Sequence, residues 1–93
     1  MTIGPDFVPR LATKARLKHD RHEDKWMILW PERGLALNAS AAAIAQRIDG
    51  VRTIASIAES LASEHGADRA VVERDVIAFV SSLAEKGLLD GLG

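Results

Sequence analysis

The chain has 93 residues, 47% of them hydrophobic, with 12 basic and 13 acidic side chains and a formal net charge of -1. That composition supports one compact core and is too small for two domains, and the charge balance exerts no global pull on nucleic acid or an anionic membrane. The absence of cysteine excludes disulfides, iron–sulfur ligation and thiol catalysis. No apolar run approaches the ~20 residues of a membrane-spanning helix. The first residues, MTIGPDFVPRLATK, lack the basic start and apolar stretch of a secretory signal. The expectation is a soluble, cytoplasmic domain.

Residues 1–14 carry two of the three prolines, Pro5 and Pro9, without periodicity. They are expected to form an extended arm that either docks on the domain or frays, with the domain itself spanning 15–93. Ala15–Asp20 reads as a first strand and Lys25–Trp30 as a second, joined by a polar turn at Arg21–Asp24. Alternation in the second puts Trp26, Ile28 and Trp30 on one face and Met27 and Leu29 on the other. With both faces apolar, this strand is expected to be central, or covered on one side and available to a partner on the other. Pro31-Glu32-Arg33-Gly34 is a turn signal, with Pro and Gly placed to reverse the chain. Leu35–Leu37 then forms a short third strand, which as the last of a meander leaves one edge open.

Asn38 is a good N-cap for a first helix over Ala39–Ile48, ended by Asp49-Gly50, with Ala41, Ile44, Ala45 and Ile48 on one face. Thr53 caps a second helix with the stripe Ile54, Ile57, Ala58 and Leu61, closed by His65-Gly66. Asp68 caps the third and longest, in which Val72, Val76, Phe79, Val80 and Leu83 recur at steps of four and three. Lys86-Gly87 stops it, and Leu88-Leu89 are expected to fold back onto the core. Three strands followed by three helices define an α+β, winged helix-turn-helix-like class with a three-stranded antiparallel sheet.

Catalytic chemistry finds little footing. There is no nucleophile elbow and no phosphate-cradling glycine loop, and Ser40, Ser56 and Ser60 lie in helical patterns where capping or exposure is the ordinary role. His19-Asp20-Arg21-His22-Glu23 gathers four ligand types, but on a strand His19 and His22 point to opposite faces. A solvated turn is therefore favoured over a metal site, and no metal or cofactor is expected. Nucleic acid is the main competitor, because a winged-helix layout often places its third helix in the major groove. Arg10, Lys14, Arg16 and Lys18 favour it. The third helix argues against it by mixing Arg69 and Arg74 with Glu73, Asp75 and Glu85, where phosphate contacts need a net cationic face.

Peptide binding uses features the other readings leave idle. An open edge at Leu35–Leu37 can accept an incoming strand, and the third helix, if it packs across the sheet, forms a wall beside it. The centre of that helix's stripe is expected to be core; its margin, with Asp75, Ser82 and Lys86, is where ligand contacts would fall.

Taken in order, Pro9-Arg10-Leu11, Arg16-Leu17, Leu29 with Pro31-Glu32, and Leu37-Asn38 with Ala41 and Ile44 make a distinctive series. Asp49-Gly50 with Thr53, Ile57 and Leu61 follow, then Val76, Phe79, Leu83 and Gly87-Leu88. Over residues 9–89 this resembles the PqqD family of pyrroloquinoline quinone biosynthesis. The resemblance implies a non-catalytic, cofactor-free peptide chaperone. Such a domain binds the precursor peptide PqqA as an added strand beside its third strand and against its third helix, then presents it to the radical-SAM enzyme PqqE. Carried onto this chain, the strand edge is Leu35, Ala36 and Leu37, and the helix wall is drawn from Val72, Asp75, Val76 and Phe79. Trp30 stands before Pro31-Glu32 where aliphatic residues are usual in the family, a departure that bears on groove shape. The open edge and the arm also invite a homodimer.

Overall fold

The computed structural model describes residues 3–90. Its elements are β1 (Arg16–Asp20), β2 (Lys25–Trp30), β3 (Arg33–Leu37), α1 (Ala39–Ala45), α2 (Ile54–His65) and α3 (Arg69–Glu85). The strands form one antiparallel sheet in the order β1-β2-β3, so β2 is central, as its two apolar faces require. The α+β order expected from the sequence is the order observed.

Alternation divides the sheet. Leu17, Trp30, Leu35 and Leu37 lean onto the core beside fully buried Ile28, which packs among Ile44, Ile54, Ile57, Leu61, Val76, Val80, Leu83 and Leu88. The helices therefore cover this face. The opposite face presents Arg16, Lys18, Met27, Leu29, Gly34 and Ala36.

The β2–β3 connection is tighter than the sequence implied. Trp30 pairs directly with Arg33, leaving only Pro31 and Glu32 in the turn, and β3 begins two residues before Leu35. The left-handed backbone falls on Glu32 (φ 64°), while Gly34 lies in the strand. A side chain at Gly34 would meet Leu29 Cδ2 at 3.1 Å and Met27 Cε at 3.6 Å, so the glycine serves packing on the outer face rather than reversal.

The three N-caps are as expected. Asn38 accepts from the Ala41 amide at 2.8 Å, Thr53 from that of Ser56 at 3.1 Å, and Asp68 from that of Ala70 at 2.8 Å. Gly66 (φ 62°) and Gly87 (φ 70°) terminate α2 and α3 in the left-handed conformation. In each case an amide just beyond reaches five residues back, Ala67 to the Ala62 carbonyl and Leu88 to that of Leu83, at 2.9 Å.

α1 corrects the expectation of a helix through Ile48. It ends at Ala45, and the chain tightens as the Arg47 and Ile48 amides bond to the carbonyls of Ile44 and Ala45. Arg47 Nη1 donates at 2.9 Å to the Ala43 carbonyl, which its own amide leaves free, and Gln46 Nε2 adds a second donor at 3.1 Å to the Ala42 carbonyl that already accepts from the Gln46 amide. Arg47 also pairs with Glu64 of α2, which ties this end of α1 to the neighbouring helix. Asp49 then organises the loop into α2, accepting from the amides of Val51 and Arg52, both at 2.9 Å. Those bonds, that of Arg52 first, hold its carboxyl below the ordinary value of 3.8.

Residues 3–14 lie along the domain without helix or strand. The Phe7 and Pro5 carbonyls accept from the amides of Ile54 and Ala55, both at 2.9 Å. With Thr53 serving Ser56, the first three amides of α2 all have partners, which a helix N-terminus cannot supply from within. Further on, Ala12 N donates to the Leu88 carbonyl at 2.8 Å and Asp90 N to that of Arg10 at 2.9 Å. This short pairing holds Leu88 and Leu89 against the core, where they are 0% and 8% exposed. No helix among the described residues is long and apolar enough to cross a membrane.

Candidate functional site

The register determines what β3 offers at its outer edge. Two residues flanking a two-residue turn exchange ladder hydrogen bonds, and in an antiparallel pair bonded and non-bonded positions alternate. Trp30–Arg33, Ile28–Leu35 and Trp26–Leu37 are thus the bonded pairs. The amides and carbonyls of Gly34 and Ala36 consequently point away from β2, into the space beside the sheet. No described strand occupies that space.

The two sheet edges differ in chemistry. On its outer face β1 carries Arg16 and Lys18, long charged chains of the kind that discourage edge-to-edge pairing. β3 has Gly34 and Ala36 at the equivalent face, small and uncharged. A neighbouring strand is therefore accommodated at β3 and opposed at β1.

α3 supplies the wall. Val72, Asp75, Phe79, Ser82 and Lys86 follow one another at steps of three and four, which places them along one side of the helix. Val72 and Phe79 are partly buried, and Asp75 and Lys86 are exposed. Val76 lies behind this row at 0% exposure; it supports the wall from the core and offers no surface of its own.

Two recesses open along the α3 row, the first among α1, α2 and α3 just past the end of β3 and the second between the start of β3 and the end of α3. One, of about 280 Å³, is lined by Ala39, Ser40, Ala43, Ile44, Leu61, His65, Val72 and Asp75. The other, of about 600 Å³, is lined by Trp30, Arg33, Gly34, Leu35 and Lys86. Leu35 thus lines the second recess, and Val72 and Asp75 line the first. Leu37 leans onto the helix-covered face, and Ala36 turns its backbone groups to the open edge. Sequence reasoning reaches Trp30 only as a departure that bears on groove shape and does not reach Arg33 or Gly34. For Gly34 the available signal is the small, uncharged Gly34–Ala36 pair set against the cationic pair of β1.

Within His19–Glu23, His19 and Asp20 end β1 and Arg21–Glu23 belong to the turn before β2. His19 Nε2 lies 2.9 Å from Asp24 Oδ1, and its ring sits 4.8 Å from that of Trp26. Among the described residues no three His, Asp or Glu side chains converge as a metal site would require.

An α+β domain with a winged helix-turn-helix-like order, an open strand edge and a helix walling it off is the class of protein defined here. The family described as Coenzyme PQQ synthesis protein D matches residues 25–89, and the chain belongs to this PqqD family. It is 44% identical over 88 residues to the PqqA binding protein of Xanthomonas campestris pv. campestris, covering 95% of this chain and 96% of that one. In three dimensions it is similar to the PqqD portion of Methylobacterium extorquens PqqCD, which is described as a functional, stand-alone recognition element for ribosomally synthesised and post-translationally modified peptides. The TM-score is 0.84 at 34% identity, covering 96% and 95% of the two chains. It is also similar to a lasso peptide synthetase B1 seen in complex with a leader peptide, with a TM-score of 0.76 at 29% identity, covering 89% and 98%.

Proposed function

We propose that this domain is a non-catalytic peptide chaperone that binds a PqqA-like precursor as a fourth strand beside β3 and presents it to a PqqE-like radical-SAM enzyme in the cytoplasm. The observation that carries the reading is the open β3 edge, with the Gly34 and Ala36 backbone groups aimed into a space walled by α3. Main-chain bonds to those two residues supply sequence-independent affinity, and the flanking recesses supply side-chain selectivity. The contact set is Leu35, Ala36, Leu37, Val72, Asp75 and Phe79, with Val76 as the packed support behind them. The PqqA-binding relative and the leader-bound lasso synthetase support this reading by kinship.

The test is titration of the purified protein with the PqqA-like peptide encoded in the same genome. Trp30 lines one recess, so its fluorescence should report occupancy, and calorimetry gives the stoichiometry. Saturable one-to-one binding that a scrambled peptide does not reproduce is the expected result. Binding to duplex DNA with steep salt dependence, and none to the peptide, would instead favour a winged-helix nucleic-acid function. Addition of the enzyme to the peptide complex should give a ternary species in sedimentation, which also reports whether the domain is a monomer or a homodimer.

A further inference from the structure

The two ends of the β3–α3 groove carry opposite charge. Asp75 lines the recess where β3 runs out toward Ala39. Arg33 and Lys86 line the recess at the start of β3 and the end of α3. Among the described residues none of these three enters a salt bridge; Lys86 Nζ contacts only the Ser82 hydroxyl, at 3.3 Å. Arg47–Glu64 and Arg69–Glu73 do pair, whereas Arg33, Asp75 and Lys86, like Glu59, Arg74 and Glu85, do not among the described residues; what sets the first three apart is that they line the two recesses.

We infer that this polarity selects both the composition and the direction of the bound segment: a cationic side chain is held at Asp75 and a carboxylate, further toward the peptide's C-terminus, at Arg33 and Lys86. The inference rests on the strand-addition reading above. Antiparallel ladders are the more stable kind, and every pairing in this sheet is antiparallel. A peptide antiparallel to β3 runs from the Leu37 end to the Arg33 end. Its N-terminal part therefore lies by Asp75 and its C-terminal part by the two cations. Asp75 and Lys86 are separated by about three turns of α3, roughly 16 Å along the axis. An extended chain advances about 3.4 Å per residue, so the matching charges sit about five residues apart. In the reversed direction the same peptide would bring like charges together at both ends, so the groove opposes the wrong orientation as well as favouring the right one.

The experiment uses the full chain and the PqqA-like precursor of the same genome. Calorimetric titration compares the wild type with the double variant Asp75→Lys, Lys86→Glu, whose substitutions are on exposed positions and are checked by thermal melting. Single variants Asp75→Asn and Lys86→Gln provide a milder series. The expected result is affinity lower by about tenfold in the double variant at low salt, with the difference collapsing near 0.5 M salt, where the Debye length falls to about 4 Å. A precursor with its cation and carboxylate exchanged should bind the double variant better than the wild type. Equal affinity of wild type and double variant, or indifference to the exchange, overturns the charge inference while leaving strand addition in place. A precursor without such a pair at about that spacing overturns it as well. No binding of the precursor to the wild type overturns the strand-addition reading and this inference together.

Discussion

Proline substitution along β3 separates residues whose amides serve the fold from those whose amides face the groove. Ala36 is exposed, and its amide points away from β2, so Ala36→Pro leaves the β2–β3 ladder intact. It also leaves Leu35 in the extended conformation that a following proline favours. The expected stability loss is about 1 kcal/mol or less. For an added strand the same change deletes one donor, strands the partner carbonyl, and sets a ring where the peptide must approach. One net hydrogen bond is worth about 0.5–1.5 kcal/mol and an unsatisfied group costs about 1–3 kcal/mol. A loss of roughly 1.5–3 kcal/mol corresponds to about tenfold to a hundredfold weaker precursor binding. Leu35→Pro is the control. Its amide belongs to the bonded pair with fully buried Ile28, and its side chain packs on the core, so it should destabilise the domain by about 3 kcal/mol or more. Urea unfolding followed by calorimetry of the folded variants measures both. A folded Ala36→Pro protein that binds like the wild type would refute the register argument, as would equal stability of the two variants.

Three further predictions concern the frame that holds the groove. Removing residues 1–8 deletes the acceptors of the Ile54 and Ala55 amides together with Phe7, which packs against the core. The urea midpoint should fall by an amount equivalent to about 2 kcal/mol or more, and an unchanged midpoint would show that the arm contributes nothing to α2. Gly50 (φ 76°) would place a Cβ 2.9 Å from Arg10 Nε, whereas Gly66 (φ 62°) has nothing within 4 Å. Gly50→Ala should therefore cost about 1–2 kcal/mol and exceed Gly66→Ala in the same melts, with Arg10→Ala recovering part of the difference. Finally, the depressed carboxyl of Asp49 contributes stability that is present above its unfolded value and lost as pH falls through its lower folded value, below about 4. Unfolding midpoints measured from pH 6 downward should decline less steeply in Asp49→Ala than in the wild type; parallel profiles would discount the loop bonds to Val51 and Arg52.

Much of the fold was legible because its signals act within a few residues. Asn38, Thr53 and Asp68 cap helices through their own side chains, Gly66 and Gly87 end them at no steric cost, and alternation along Lys25–Trp30 marks a strand between two others. Those local terms, together with the order of the elements, were enough to point to the α+β class and to an open edge at β3. Where long-range partners intervened, sequence fell short. α1 stops at Ala45 and its last turn is tied by Arg47 to Glu64 on another helix, and the loop beyond it is tied to the N-terminal segment by the Gly50 amide and the Pro9 carbonyl. Within the apolar stripe of α3, periodicity alone does not separate Val76, which the packed strands and helices bury completely, from Val72 and Phe79 at the rim. Nor does spacing along the chain show that Arg33 and Lys86 meet at one end of a groove with Asp75 at the other. Hydrogen bonds within a turn depend on neighbours in sequence, whereas burial and the meeting of charges depend on which surfaces pack together, and only the tertiary structure decides that.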